Sequence, residues 1–336
     1  MGGLTKEYMT RRLLMWLLTV WIGASLIFAI PRLAPGDPIA AMVLRMSAQG
    51  AVIENSAELI AAWRLRFGLD GPWYVQYFNY IKGCVTFDFG YSLTQFPSRV
   101  WEMIARALPW TVGLLSFATL ITFIFGNAVG AIIGWRKTPR TLRNVLPITL
   151  TFSSIPGFLF GLLLSFIFAF GLGWFPSTNG YDQTKVSPGL NLPFIINAAY
   201  HSVLPALAII LTTAGGWALG MRGMMVTTDG EDYMILGQAK GLSMPRLFLR
   251  YAVRNALLPQ LTALSLTLGL IVGGATLIES YFVYPGVGKL LQYAISNGDY
   301  TLMQGIVYVL VLTTATAVLI IDLLYPLIDP RISLKK

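Results

Sequence analysis

The sequence predicts an all-α membrane protein with six transmembrane helices and a small folded outer segment between the first and second. Three observations carry this. Of 336 residues, 55% are hydrophobic and only 12% are charged, roughly half the charged share of a soluble domain. Six uncharged stretches each supply the roughly 20 apolar residues that a helix needs to cross a bilayer. Basic residues gather between alternate stretches, as they do at the cytoplasmic ends of membrane spans.

The first stretch covers 13–31, behind Lys6, Arg11 and Arg12. Its apolar core is too long for a cleaved signal peptide, and no small-x-small site follows it cleanly, so it reads as an uncleaved signal anchor. The others cover 108–134, 145–171, 202–221, 258–278 and 302–321. With the N-terminus inside, the inner pieces hold Arg136, Lys137, Arg140 and Arg143, then Arg222, Lys240, Arg246, Arg250 and Arg254, and finally Arg331, Lys335 and Lys336. The two short outer loops hold only Lys185 and Lys289. Both termini are therefore expected in the cytoplasm, and the net charge of +9 belongs to the membrane surface, with no nucleic acid as partner. The expected organisation is a cytoplasmic N-terminus and first helix (1–31), an extracytoplasmic segment (32–107), a five-helix transmembrane domain (108–326) with a cytoplasmic loop at 222–257, and a cytoplasmic tail (327–336).

The outer segment contains "NSAELIAAWRLRF", a short helix with Asn55 as cap, Glu58 three residues on and Gly68 as its stop. "GLDGPW" marks a turn. The piece "GWFPSTNGYDQTKVSPGLNLP" is a loop by its Gly, Pro, Asn and Ser content, and Trp174, Phe175 and Tyr181 suit the aromatic belt of a membrane interface. Within the spans, glycines stand four apart at Gly126, Gly130 and Gly134, at Gly157 and Gly161, at Gly216 and Gly220, and at Gly269 and Gly273. Small residues at this spacing let helices approach closely in lipid.

Several chemistries are missing from the sequence. No span carries an ionisable residue in its middle, which disfavours ion-coupled transport. Glu279 and Asp322 lie near span ends, where solvated or capped termini are expected. There is no nucleotide-binding G-x-x-x-x-G-K-[ST] loop, no G-x-S-x-G elbow and no H-E-x-x-H helix. Cys84 and His201 are the only residues of their kinds, so no disulfide or Cys/His metal site can form within the sequence. Cys84 is expected to be a small packing residue and His201 a structural one at the outer edge of the fourth span. Catalytic, cofactor-binding and metal-binding residues are accordingly all expected to be absent.

The loop at 222–257 carries the most information. "TTDGEDYMILGQAKG" predicts a short helix from Asp229 to Lys240, with Asp229, Glu231 and Asp232 where a helix dipole favours anions. Gly241 follows as a C-cap. Ser243 then caps a second helix with Pro245 in its first turn. Arg246, Arg250 and Arg254 recur every four residues on one face, beside an apolar stripe of Leu249, Val253 and Leu257. The arginines suit an interfacial helix meeting lipid phosphates. The acidic-start helix and its glycine turn make a compact knob suited to a partner's groove.

The segment "EDYMILGQAKGLSMPRLFLRYAVRNALLPQLT" resembles the cytoplasmic signature loop of type I ABC importer permeases, and within them the dipeptide/oligopeptide permease family. "RRLLMWLLTVWIGASLIFAIPRLAPGDP", "RFGLDGPWYVQYFNYIKGCVTFDFGYSL", "GLGWFPSTNGY", "HSVLPALAI", "YPGVGKLL", "GDYTLMQG" and "DLLYPLIDPRI" extend the likeness over nearly the whole sequence, in order. The general signature E-A-A-x3-G-x9-I-x-L-P is not met. Ile235, Leu236 and Gly237 stand where Glu-Ala-Ala is usual, and Gly241 and Pro259 lie farther apart than it allows. The peptide-permease branch is similar in both respects.

The resemblance implies a permease subunit of an ATP-driven importer in the inner membrane. It implies a second, non-identical permease, two ABC ATPase subunits that alone bind ATP, and an extracytoplasmic solute-binding protein, all working across the lipid bilayer. It places ATPase coupling at Asp229, Glu231, Asp232, Tyr233, Ala239, Lys240, Gly241 and Leu242, with Arg246, Arg250 and Arg254 on a surface helix. Peptide and oligosaccharide stand level as substrates, with opines and nickel as further cargoes of similar importers. The alternative from another class is an ion-coupled secondary transporter.

Overall fold

In the computed structural model the described residues are mainly helical, because apolar runs in a bilayer must satisfy their own backbone groups. The structure describes residues 6–33, 39–40, 43–44, 47, 56–66, 71–269, 271 and 275–328. Among these the only β pairing is an isolated bridge between Tyr91 and Arg99. Among the described residues four helices are long and apolar enough to cross a membrane, or five if one sharply bent pair counts as a single span. The chain divides into two compact units, 1–110 with 286–336, and 111–285.

In the first unit, α1 (Lys6–Leu33) lies against α12 (Tyr300–Ile328). The Tyr8 hydroxyl donates to the Asp322 carbonyl at 2.9 Å, and Trp16 Nε1 donates to Thr316 Oγ1 at 3.1 Å. Gln304 Nε2 donates to the Ile27 carbonyl at 3.1 Å. As one helix advances the other recedes, so the pair is antiparallel, and the start of α1 lies beside the end of α12. Arg12 pairs with Asp322 at 2.8 Å, which corrects the expectation of a merely solvated or capped Asp322. The cation arrives from a residue 310 positions away in sequence, beyond the reach of any local pattern.

The outer-segment helix α2 (Ser56–Arg66) forms where expected; Asn55 and Gly68, its expected cap and stop, lie outside the described residues. Next, α3 (Trp73–Thr86) packs on α1, with Ser25 Oγ and the Tyr77 hydroxyl 2.8 Å apart. Cys84 is buried in this contact. Burial raises its thiol to about 11, so it stays protonated and acts as a small apolar residue. Helix α4 (Val100–Gly134) begins in this unit, and α11 (Val287–Asn297) packs against α12. Val100, Ile104, Leu302 and Ile306 are buried together. Asp299 caps α12 by accepting from the Leu302 amide at 3.0 Å. It also accepts from the Leu93 and Thr94 amides, Thr94 Oγ1, Thr301 Oγ1 and the Ser92 hydroxyl, which ties the 92–94 loop to the helix start.

In the second unit, α4 crosses α7 (Leu192–Asp229) at the predicted glycines. A Cβ on Gly126 would stand 2.6 Å from Trp217 Cβ, one on Gly134 2.6 Å from Met225 Cβ, and one on Gly130 against the Ala218 carbonyl. Gly157 and Gly161 likewise pack, on Ile278 and Phe282. A Cβ on Gly216 would meet nothing within 4 Å; one on its neighbour Gly215 would meet Ser153 Oγ instead. Gly273 lies outside the described residues.

The expected third span is broken: α5 (Val145–Ser153) and α6 (Gly157–Leu164, continued as a π-helix to Gly171) meet at 102°. Pro156 has no amide to continue α5 and disfavours helix at the residue before it. The expected fifth span, 258–278, is also not one helix. Helix α9 (Arg254–Gly269) ends before a short α10 (Thr276–Tyr281), and 270 and 272–274 lie outside the described residues.

The loop before α7 is pinned by Asp182, whose amide donates to Asn197 Oδ1 at 2.8 Å. Its carboxylate accepts from the Thr184 amide and hydroxyl and pairs with Lys185 at 3.0 Å. These contacts hold its pKa well below the usual carboxylate range. His201 hydrogen-bonds the Asn197 carbonyl through Nδ1 at 2.9 Å and stacks edge-on with Tyr200, a structural role.

Candidate functional site

Helix α7 spans 38 residues, about 57 Å at 1.5 Å per residue, well beyond the roughly 30 Å apolar core of a bilayer. The helix is therefore longer than a span needs, and its last turns carry the knob. Asp229 is the final residue of α7, not the start of the next helix as the sequence predicts. Gly230 ends α7, Glu231 sits extended as the N-cap, and α8 runs from Asp232 to Ala239. The Asp229 carboxylate is drawn away from the knob to Arg136, 3.5 Å distant just past α4. This tertiary partner decides its place.

The turn after α8 is built as the sequence predicts. Gly241 takes φ +70°, a conformation that costs an L-residue about 1–2 kcal/mol. Its amide donates to the Gln238 carbonyl at 2.9 Å, and the Leu242 amide donates to the Gly237 carbonyl at 3.1 Å. These two bonds form a Schellman motif, which satisfies carbonyls the helix end would leave orphaned. Ser243 follows in an extended conformation and starts the turn Met244–Arg246, although its side chain makes no capping bond.

The knob is fixed to the spans by a methionine-rich core. Met234 of α8 is fully buried against Met221 and Met225 of α7, Trp135 beyond α4, and Leu247, Ala252 and Ala256 leading into α9. Full burial of one such large side chain stabilises by about 1.5–3 kcal/mol. Gly237 is small for a reason: a Cβ there would stand 2.7 Å from Leu247 Cδ2. Leu247–Val253 is a π-helix, and its wider turn changes the register. The buried positions are Leu247, Ala252 and Ala256, five and then four apart, while Leu249 of the expected stripe is 60% exposed. Val253 and Leu257 are partly buried against the cluster. Arg246, Arg250 and Arg254 are all exposed.

One face of α8 is left open. Glu231, Asp232, Ile235, Leu236, Ala239 and Lys240 are exposed, at positions i, i+1, i+4, i+5, i+8 and i+9, which form one continuous strip. Its ends are charged, acid first and base last, and its centre is the apolar pair Ile235 and Leu236, 59% and 54% exposed. Of the eight predicted contact residues, Glu231, Asp232, Ala239, Lys240 and Gly241 lie exposed on the knob. Tyr233 and Leu242 pack partly onto the methionine core, and Asp229 lies apart on α7. Ile235 and Leu236, the apolar centre of the strip, are not among the eight. Their signal was present, since they stand where the general signature has polar and small residues.

Glu279 is a second correction. It is 0% exposed, and Thr111 Oγ1 donates to its Oε1 at 2.8 Å, so it is not a solvated end. Its partner comes from α4, 168 positions away, so nothing local marks the pairing. Among the described residues no group of three or more His, Cys, Asp and Glu side chains is placed to hold a metal.

Comparison with known proteins bears on this geometry. The family described as "Binding-protein-dependent transport system inner membrane component" matches residues 126–334. The sequence is 33% identical over 331 residues to the "Glutathione transport system permease protein GsiC" of Salmonella typhimurium, covering 98% of this chain and 99% of that protein. It is 32% identical to the "Di/tripeptide transport system permease protein DppB" of Pseudomonas aeruginosa over 338 residues, 97% of this chain and 98% of that one. It is 30% identical to the "Oligopeptide transport system permease protein AppB" of Bacillus subtilis over 327 residues, with the same two coverages.

Proposed function

This chain belongs to the family of binding-protein-dependent transport system inner membrane components, and from that premise we propose that it is a peptide importer's permease subunit, driven through the open face of α8. As a multi-pass membrane transport subunit it is not itself an enzyme. Relatives named for glutathione, di/tripeptide and oligopeptide transport favour peptide over oligosaccharide. The family favours ATP drive over ion coupling.

The observation that carries the coupling role is the exposed strip from Glu231 to Lys240 with Ile235 and Leu236 at its centre. An apolar centre with charged ends fits a groove on a partner. The fixed methionine core beneath makes α8 a lever, because a push on it moves α7 and α9 together. The ATPase subunits are the partners this lever requires, and ATP is bound there. A solute-binding protein delivers the peptide on the opposite face, and a second permease completes the path.

The full count in this reading is six spans, with α5 and α6 forming one bent span and α9 with α10 supplying another. Both termini face the cytoplasm. The antiparallel α1–α12 pair supports placing them on one side, and the basic residues around 136–143 and 240–254 support the inner side. The decisive experiment is a cysteine cross-link from residue 235 or 236 to the ATPase in inverted membrane vesicles. Cross-linking that depends on the ATPase and is absent from position 249 is expected. Equal cross-linking at all three positions would overturn the docking assignment.

A further inference from the structure

A cavity of about 420 Å³ opens where the end of α4, the start of α5 and the last turns of α7 meet. Its rim carries Arg136, Arg222 and Asp229, and its walls include Leu146, Pro147 and Val226. Arg222, Val226 and Asp229 stand at i, i+4 and i+7 of α7 and so share a face. The apolar runs of α4 and α5 end here, which places the cavity at the depth where lipid headgroups begin.

Two features of the rim point to a ligand. Asp229 Oδ1 is buried and has no hydrogen-bond donor, whereas Oδ2 meets Arg136 Nε at 3.5 Å. A carboxylate oxygen removed from water without a donor is costly to leave so. Arg222 is exposed and pairs with no carboxylate among the described residues. The site thus presents an open cation, a carboxylate whose covered oxygen lacks a donor, and an apolar wall between them.

We propose that this cavity is a phospholipid headgroup site that selects a phosphoethanolamine group. The phosphate pairs with Arg222 in the field of Arg136, the ammonium donates to the Asp229 carboxylate at the cavity rim, and the acyl chain runs along Val226 and Pro147. Basic pockets between helices at the membrane surface bind lipid phosphates, and the acid adds a requirement for a charged donor. A choline headgroup has no N–H to give, and a glycerol headgroup has only neutral hydroxyls. The inference rests on the membrane-spanning fold and not on the coupling role of α8, so either can fail alone.

The test is native mass spectrometry of the full-length chain, purified with the subunits that accompany it and exchanged into equal amounts of phosphatidylethanolamine, phosphatidylglycerol and phosphatidylcholine with identical acyl chains. Retention of phosphatidylethanolamine about tenfold over the other two is expected, the size of one charge-assisted hydrogen bond. Asp229→Asn should erase the preference over phosphatidylglycerol, and Arg222→Gln should lower retention of all three. Should Asp229→Asn fail to fold, Arg222→Gln decides, since its exposed side chain has no ion partner to lose. Equal retention of the three lipids by the unmodified protein, or full retention by Arg222→Gln, overturns the proposal. So does displacement of the lipid by millimolar inorganic phosphate, which would assign the site to free phosphate.

Discussion

The Leu242 amide donates to the Gly237 carbonyl across a turn whose apex, Gly241, has φ +70°. With the Gly241–Gln238 bond it closes α8 and turns the chain into the next segment. Gly241→Val should insert normally yet lose transport, because a β-branched residue at positive φ costs at least the roughly 1–2 kcal/mol of an ordinary L-residue and opens the turn. Peptide uptake and substrate-stimulated ATP hydrolysis measured together would show this; normal uptake would remove the turn from the coupling scheme.

Leu236→Asp and Met234→Ala should separate surface from support. Leu236 is exposed, so its replacement should change thermal stability within about 0.5 kcal/mol while abolishing copurification of the ATPase. Met234 is fully buried, and its truncation should cost about 2–5 kcal/mol and lower the melting temperature. Retained copurification in Leu236→Asp would sink the docking face.

Gly130→Leu should prevent α4 from seating on α7, whereas Gly113→Leu on the same helix, where nothing lies within 4 Å, should be tolerated. Yield of monodisperse protein after detergent extraction reads the difference. Similar losses for both would mean that close approach at Gly130 is not what limits assembly.

Asp299→Asn keeps the shape of a side chain that accepts from the 92–94 loop and from the first turn of α12, but it turns one acceptor into a donor facing donors. Leaving a buried donor unsatisfied costs roughly 1–3 kcal/mol. Limited proteolysis should then cut near 92–95 while sparing sites in 111–285. An unchanged digestion pattern would refute the clamp.

The Asp182 carboxylate is held below its ordinary pKa by Thr184 and Lys185. A depressed carboxylate stabilises above its unfolded value and loses that contribution as pH falls through the folded one. Amide exchange at Thr184 should therefore stay protected through pH 5 to 7, loosen only below the usual carboxylate range of about 4, and be fast throughout in Asp182→Asn. Loosening already near pH 5 would contradict the depressed value.

Much of this protein was legible in its sequence because the relevant forces are local. Apolar runs long enough for a bilayer announce helices, and glycines four apart announced the α4–α7 crossing. The "AKGLS" stretch announced a helix end, since only a glycine takes the left-handed turn cheaply. The break at Pro156 also had a local cause, but composition alone ran 145–171 together.

The sequence by itself determined the helical membrane class, the transport family and the existence of a turned knob. Only the tertiary structure decided which residues face out of it. The pull of Arg136 on Asp229, the π-turn that moved burial from Leu249 to Leu247 and Ala252, and the cover over Glu279 all depend on other segments of the chain. Packing of the methionine core then chose which side of α8 was left open, and Ile235 and Leu236 are exposed because Met234 and Gly237 filled the space beneath.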